Sequence, residues 1–130
     1  MDKWVERAVS FGDASILIRF AERELNKGNY WTTLKFIERS NFAEASSGIK
    51  FHLEALRFLA LRKLLGDMGL KQSEQSPIQS AQIEFALSST DEEDLRNESM
   101  EVQKQAAELY NRIETPSKGE IQLFKLIDKP

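Results

Sequence analysis

Cysteine is absent from this 130-residue chain and histidine occurs once, at His52. Without thiols the fold can hold neither a disulfide nor a thiolate-bound metal, and a lone imidazole cannot assemble a multi-histidine metal site. His52 also has no recognisable nucleophile to serve, so a hydrogen-bonded, half-buried histidine is its expected state. No uninterrupted apolar run approaches membrane-spanning length, and the opening MDKWVERAVSFGD carries acids and bases where a secretion signal needs an apolar core. Phosphate-cradling glycine loops are missing, and Ser46-Ser47-Gly48 does not form a nucleophile elbow. The net charge of −3 is too small to steer the chain towards a polyanion or to imitate one. These absences predict a protein with no metal, no cofactor, no membrane span and no catalysis, and nothing in them implies a small-molecule ligand. The lack of cysteine fits a reducing compartment, so a cytoplasmic location is expected.

What is present points to a folded helical domain. Hydrophobic residues make up 41% and charged residues 30%, a globular balance, and the length suits one domain over residues 1–130. Charge is uneven: residues 1–70 hold 11 Lys/Arg against 9 Asp/Glu, while residues 71–130 hold 7 against 12. Helical punctuation recurs throughout. Trp4, Val5, Ala8, Val9 and Phe11 form a short apolar face closed by Gly12, and Asp13 is placed to cap a helix running to about Lys27. Gly28 and Asn29 then mark a turn, with Asn29 expected to cap a helix whose inner side carries Trp31, Leu34 and Ile37, extending towards Phe42.

A helix over about 48–65 is apolar nearly all round, save for a strip at Lys50, Glu54 and Arg57, which identifies it as the central element. Ser46 or Ser47 is its expected cap and Gly66 with Gly69 its stop. Leu61 continues the strip as an apolar residue, which implies that something covers it. A Ser- and Gln-rich linker over about 70–76 leads to Ser76, Pro77 and Gln79, a cap, a first-turn proline and a capping-box partner. Thr90 and Glu93 are expected to repeat that signal, with Asp91, Glu92 and Asp94 favouring the helix dipole rather than a cation. Leu95, Val102, Ala106, Leu109 and Ile113 then form a narrow seam. Residues 117–128 fit a helix or a strand; with no other strand to pair with, helix is expected. The fold class is therefore all-α, a compact bundle of five to seven helices built from antiparallel hairpins.

Within the first hairpin, Ala21, Gly28, Tyr30 and Ser40, with Phe20 and Ile37 beside them, fall at the spacing of small, glycine, aromatic and small positions in one helical repeat. Residues 17–45 thus resemble a tetratricopeptide (TPR) unit. Leu17, Glu24, Thr33 and Ala45 stand where that pattern favours tryptophan, tyrosine, alanine and proline, and Arg62 occupies the glycine position one unit on, so no second copy follows. The resemblance implies a groove that binds peptides or helices without catalysis; an ordinary αα-hairpin has the same outline.

The expected function is a non-catalytic protein-interaction or adaptor module, in the manner of a small subunit of a larger assembly. Tyr30, Leu61, Val102 and Leu109 are the candidate partner-binding residues, the last two through self-association of the seam. The alternative is nucleic-acid association through Arg19, Arg23 and Lys27, spaced i, i+4, i+8 along one face and bordered by Glu22, with Glu24 further round the helix.

Overall fold

A computed structural model describes residues 14–40 and 45–128 of the chain. Among them are six α-helices and no strand: α1 (Ala14–Asn26), α2 (Tyr30–Arg39), α3 (Ser47–Met68), α4 (Pro77–Ser89), α5 (Glu92–Asn111) and α6 (Lys118–Ile127). The fold is an all-α bundle with α3 at its centre. The apolar face at Trp4–Phe11, the Gly12–Asp13 punctuation and Phe42 lie outside the described residues.

The α1–α2 turn closes through backbone hydrogen bonds. Gly28 takes φ +85, its N–H donates to the Leu25 carbonyl at 3.0 Å, and the Asn29 N–H donates to the Glu24 carbonyl at 2.9 Å. This is the two-bond termination that a left-handed glycine makes possible. Asn29 does not cap α2 with its side chain. Its amide donates instead to Glu24 at 2.7 Å, and its carbonyl accepts from the Thr33 hydroxyl at 2.9 Å. The positions that depart from the repeat pattern are therefore accommodated locally: buried Thr33 and Glu24 both find polar partners around Asn29.

Two buried clusters explain why α3 is apolar on nearly every side. Leu53 and Leu56 face Leu17 and Ala21 of α1 and Phe36 and Ile37 of α2. Phe51, Ala55, Phe58, Leu61 and Leu64 join Leu95, Val102 and Ala106 of α5 and Ile127 of α6. The helix starts at Ser46, whose hydroxyl accepts the Ile49 N–H at 3.4 Å. It passes through Gly66 and stops at Gly69, the C-cap, whose N–H donates to the Gly66 and Leu65 carbonyls at 3.1 and 3.2 Å. An exposed glycine costs a helix only about 1 kcal/mol, and the extra turn is held by Gln79, which donates to the Asp67 carboxylate at 3.1 Å. Gln75 from the linker also donates to the Asp67 carbonyl, at 3.4 Å. The linker itself contains a single 3-10 turn at Gln72–Glu74.

Helix α5 runs antiparallel to α3, as the Arg57–Glu98 and Phe51–Tyr110 contacts require. Its cap is Asp91, whose carboxylate accepts the Asp94 N–H at 2.8 Å. Thr90, the expected cap, closes α4 instead, donating its N–H to Ala86. The acidic run is thus the first turn of a helix, where the dipole favours it. Residues 118–127 are helical behind a Ser117–Glu120 capping box, with Phe124 stacked on Tyr110 at 4.1 Å and Gln103 donating to the Ile127 carbonyl at 2.6 Å.

Candidate docking surface

Helix α4 departs from the logic of the others. A surface helix ordinarily buries its apolar stripe and shows its charges. In PIQSAQIEFALSS the only charge is Glu84, and Ala86 is the only buried residue. The helix is well started: Ser76 accepts the Gln79 N–H at 3.2 Å, Gln79 accepts the Ser76 N–H at 2.8 Å, and Pro77 occupies the first turn. It is attached to the bundle by Ala86, buried in the main core, by Ile83 packed beside it, and by polar anchors. Gln82 donates to the Gly28 carbonyl at 2.7 Å and accepts the Trp31 N–H at 2.9 Å. A glutamine of α4 therefore occupies one of the free donors at the head of α2, the kind of group that Asn29 was expected to satisfy.

With Gln79, Gln82, Ile83 and Ala86 turned inward, α4 leaves Ile78 60% and Phe85 67% exposed. They stand seven residues apart on one side of the helix, with the small, exposed Ala81 between them. Leu87 is also exposed, on another side of the helix, as are Leu70 in the linker, Met100 of α5, and Ile121 and Leu126 of α6. Burying a side chain of this size contributes roughly 1.5–3 kcal/mol, so two together on a nearly uncharged helix form the clearest unsatisfied apolar stripe in the described bundle.

Tyr30 opens α2, half-buried and packed on the edge of the main core. Burial first, and the Asp67 charge second, push its phenol pKa up. Burial also raises the Asp67 carboxyl, against the opposing pulls of the Gln79 hydrogen bond and of Lys63. Leu61 is fully buried and Val102 nearly so, while Leu109 is half-buried against the core. The docking surfaces expected at Leu61 and along the α5 seam are consequently filled by the chain itself. Leu61 breaks the polar strip of α3 because α5 lies over it, and the seam is narrow because a single helix, α3, receives most of it.

Arg19 and Arg23 lie exposed on α1, and Lys27 is exposed just beyond its end. The stripe is interrupted, though not by Glu22. The Glu24 carboxylate lies 3.9 Å from Arg23 Nε and 4.0 Å from Lys27 Nζ, and the Arg23 guanidinium sits over the Phe20 ring at 5.1 Å. Glu22 is engaged by His52 at 2.6 Å, a pair whose side chains are both partly open to solvent. Among the described residues no group of three or more His, Asp or Glu is placed to hold a metal ion, and no helix is long and apolar enough to cross a membrane.

Sequence patterning located α4 and its cap but left Ile78 and Phe85 unassigned. The available signal was a 13-residue helix with one charge and apolar side chains on opposite sides. No known family model, curated protein or solved structure shows significant similarity to the chain.

Proposed function

We propose that the chain is a non-catalytic interaction module that docks an apolar helix of a partner protein on the exposed side of α4. The exposure of Ile78 and Phe85 is the observation that carries this reading. Two large side chains separated by two helical turns, with alanine between them, match the knob-and-gap spacing that a crossing helix uses. The stripe carries no charge, so the contacting face of the partner is expected to be apolar and to gain specificity from shape. Its small area suits a transient contact or one part of a larger interface, as in a small subunit of an assembly. The likeness of the α1–α2 hairpin to a TPR unit supports a helix-binding role in general terms. Nucleic-acid association through Arg19, Arg23 and Lys27 is the less favoured reading, because Glu24 partly neutralises that row.

The test is affinity capture from nuclease-treated extract of the native host, with the parent and the Ile78→Glu/Phe85→Glu double variant as parallel baits. The expected result is a protein retained by the parent, lost by the folded variant, and protecting amides 77–89 from hydrogen exchange when added back pure. Equal capture by both baits would contradict the proposal. Binding of the parent to DNA or RNA, lost when Arg19, Arg23 and Lys27 are reversed, would favour the alternative.

A further inference from the structure

A second feature lies by the last turn of α2, where Arg57 of α3 gathers carboxylates from three helices. Its Nη2 lies 2.6 Å from Glu98 of α5 and 3.8 Å from Glu38 of α2, and its Nη1 lies 3.5 Å from Glu54 on its own helix. Three carboxylates share one guanidinium, and the Arg57 Nε is buried without an acceptor. The cation is both outnumbered and incompletely used.

The three acids are not equivalent. Glu98 has the short bond, and Glu38 also receives Lys35 at 3.1 Å. Glu54 has the longest hydrogen bond of the group yet is the most buried, its side chain 9% exposed against 32% for Glu38 and 31% for Glu98. A carboxylate removed from water and poorly paired is the one that gains most by taking a proton. The other elements packed on α3 bring their charges elsewhere. Glu22 of α1 meets His52 on the opposite side of the helix, Glu120 of α6 lies against Gly48 at its start, and α4 offers the neutral Gln79 to Asp67 at its end.

We propose that Glu38, Glu54, Arg57 and Glu98 form a clasp joining α2, α3 and α5 that tightens when mild acid protonates Glu54. Protonation removes the penalty of holding a buried Glu54 charge and its repulsion from Glu98, at the loss of a long 3.5 Å contact with Arg57, which stays bonded to Glu98 at 2.6 Å. Burial is the largest influence on Glu54 and raises its pKa, Glu98 adds to the rise, and Arg57 opposes it. A carboxyl whose folded pKa lies above its unfolded one contributes stability below the unfolded value and loses it as pH rises through the folded value. Most carboxylates in folded proteins act in the opposite direction, so the sign is distinctive.

Urea unfolding of the full chain and of Glu54→Gln, each at pH 7.5 and at about pH 4, tests this. The glutamine variant is expected to unfold at higher urea than the parent at pH 7.5, with the gap between the two midpoints narrowing as the pH falls and closing at about pH 4, below the ordinary glutamate pKa. A variant less stable than the parent at pH 7.5, or an offset independent of pH, would overturn the proposal. If the variant does not fold, carbon-detected NMR titration of Glu54 in the parent decides: titration above the ordinary glutamate range supports the clasp, and titration within or below it refutes it.

Discussion

Gly28 shows how much one backbone conformation can govern. Its φ of +85 closes α1, and nothing lies within 4 Å of where a side-chain carbon would be added. Alanine there meets no steric obstacle, so its cost is that of the left-handed backbone alone, about 1–2 kcal/mol. Thermal unfolding of Gly28→Ala is expected to show that loss, with the same helical content before the transition. Gln82 makes a complementary case through two hydrogen bonds across a long sequence separation. Gln82→Glu keeps the acceptor for Trp31 but loses the donor to the Gly28 carbonyl, setting two oxygens against each other. Faster hydrogen exchange confined to α4 and the head of α2 is the expected readout. Gln82 was invisible as a cap in the sequence, because capping patterns are local and this partner lies more than 50 residues from the turn it serves.

Among the elements, α3 and α4 have opposite relations to the apolar residues around them. Helix α3 is greasy on nearly every side because α1 and α2 cover one part of it and α5 and α6 another. Its position was legible in the sequence, since a long helix with one narrow polar strip has no stable place except the middle. The seam of α5 was legible as a pattern but not as a destination: a 3.5-residue repeat looks the same whether it meets its own core or another chain. The structure places it inside. Val102→Asp is accordingly expected to lose the cooperative unfolding transition by circular dichroism, because it buries an unpaired carboxylate, rather than to give a folded monomer. The stripe of α4 was hidden for a different reason. Apolar residues lie on both sides of that helix, and periodicity cannot say which side neighbouring helices will cover. Glu24 was likewise missed as the acid reaching Arg23 and Lys27, since its position round the helix did not reveal the reach of those longer chains.

At the scale of the described bundle, a closely packed interior around α3 sits beside α4, the helix that exposes the two large apolar side chains Ile78 and Phe85 on one side. Hydrophobic burial around α3 supplies the cohesion, and the polar anchors at Gln79 and Gln82 hold α4 in place without hiding Ile78 or Phe85. That division between inside and outside underlies both the architecture and the proposed docking role. The most direct measurement is paired urea denaturation of Leu61→Ala and Phe85→Ala. Leu61→Ala is expected to cost about 2–5 kcal/mol, as a cavity in a packed core does. Phe85→Ala is expected to stay within about 0.5 kcal/mol of the parent, as an exposed substitution does. Losses of similar size at the two positions would contradict the account, because Phe85 would then be held by the chain's own core and not free for a partner.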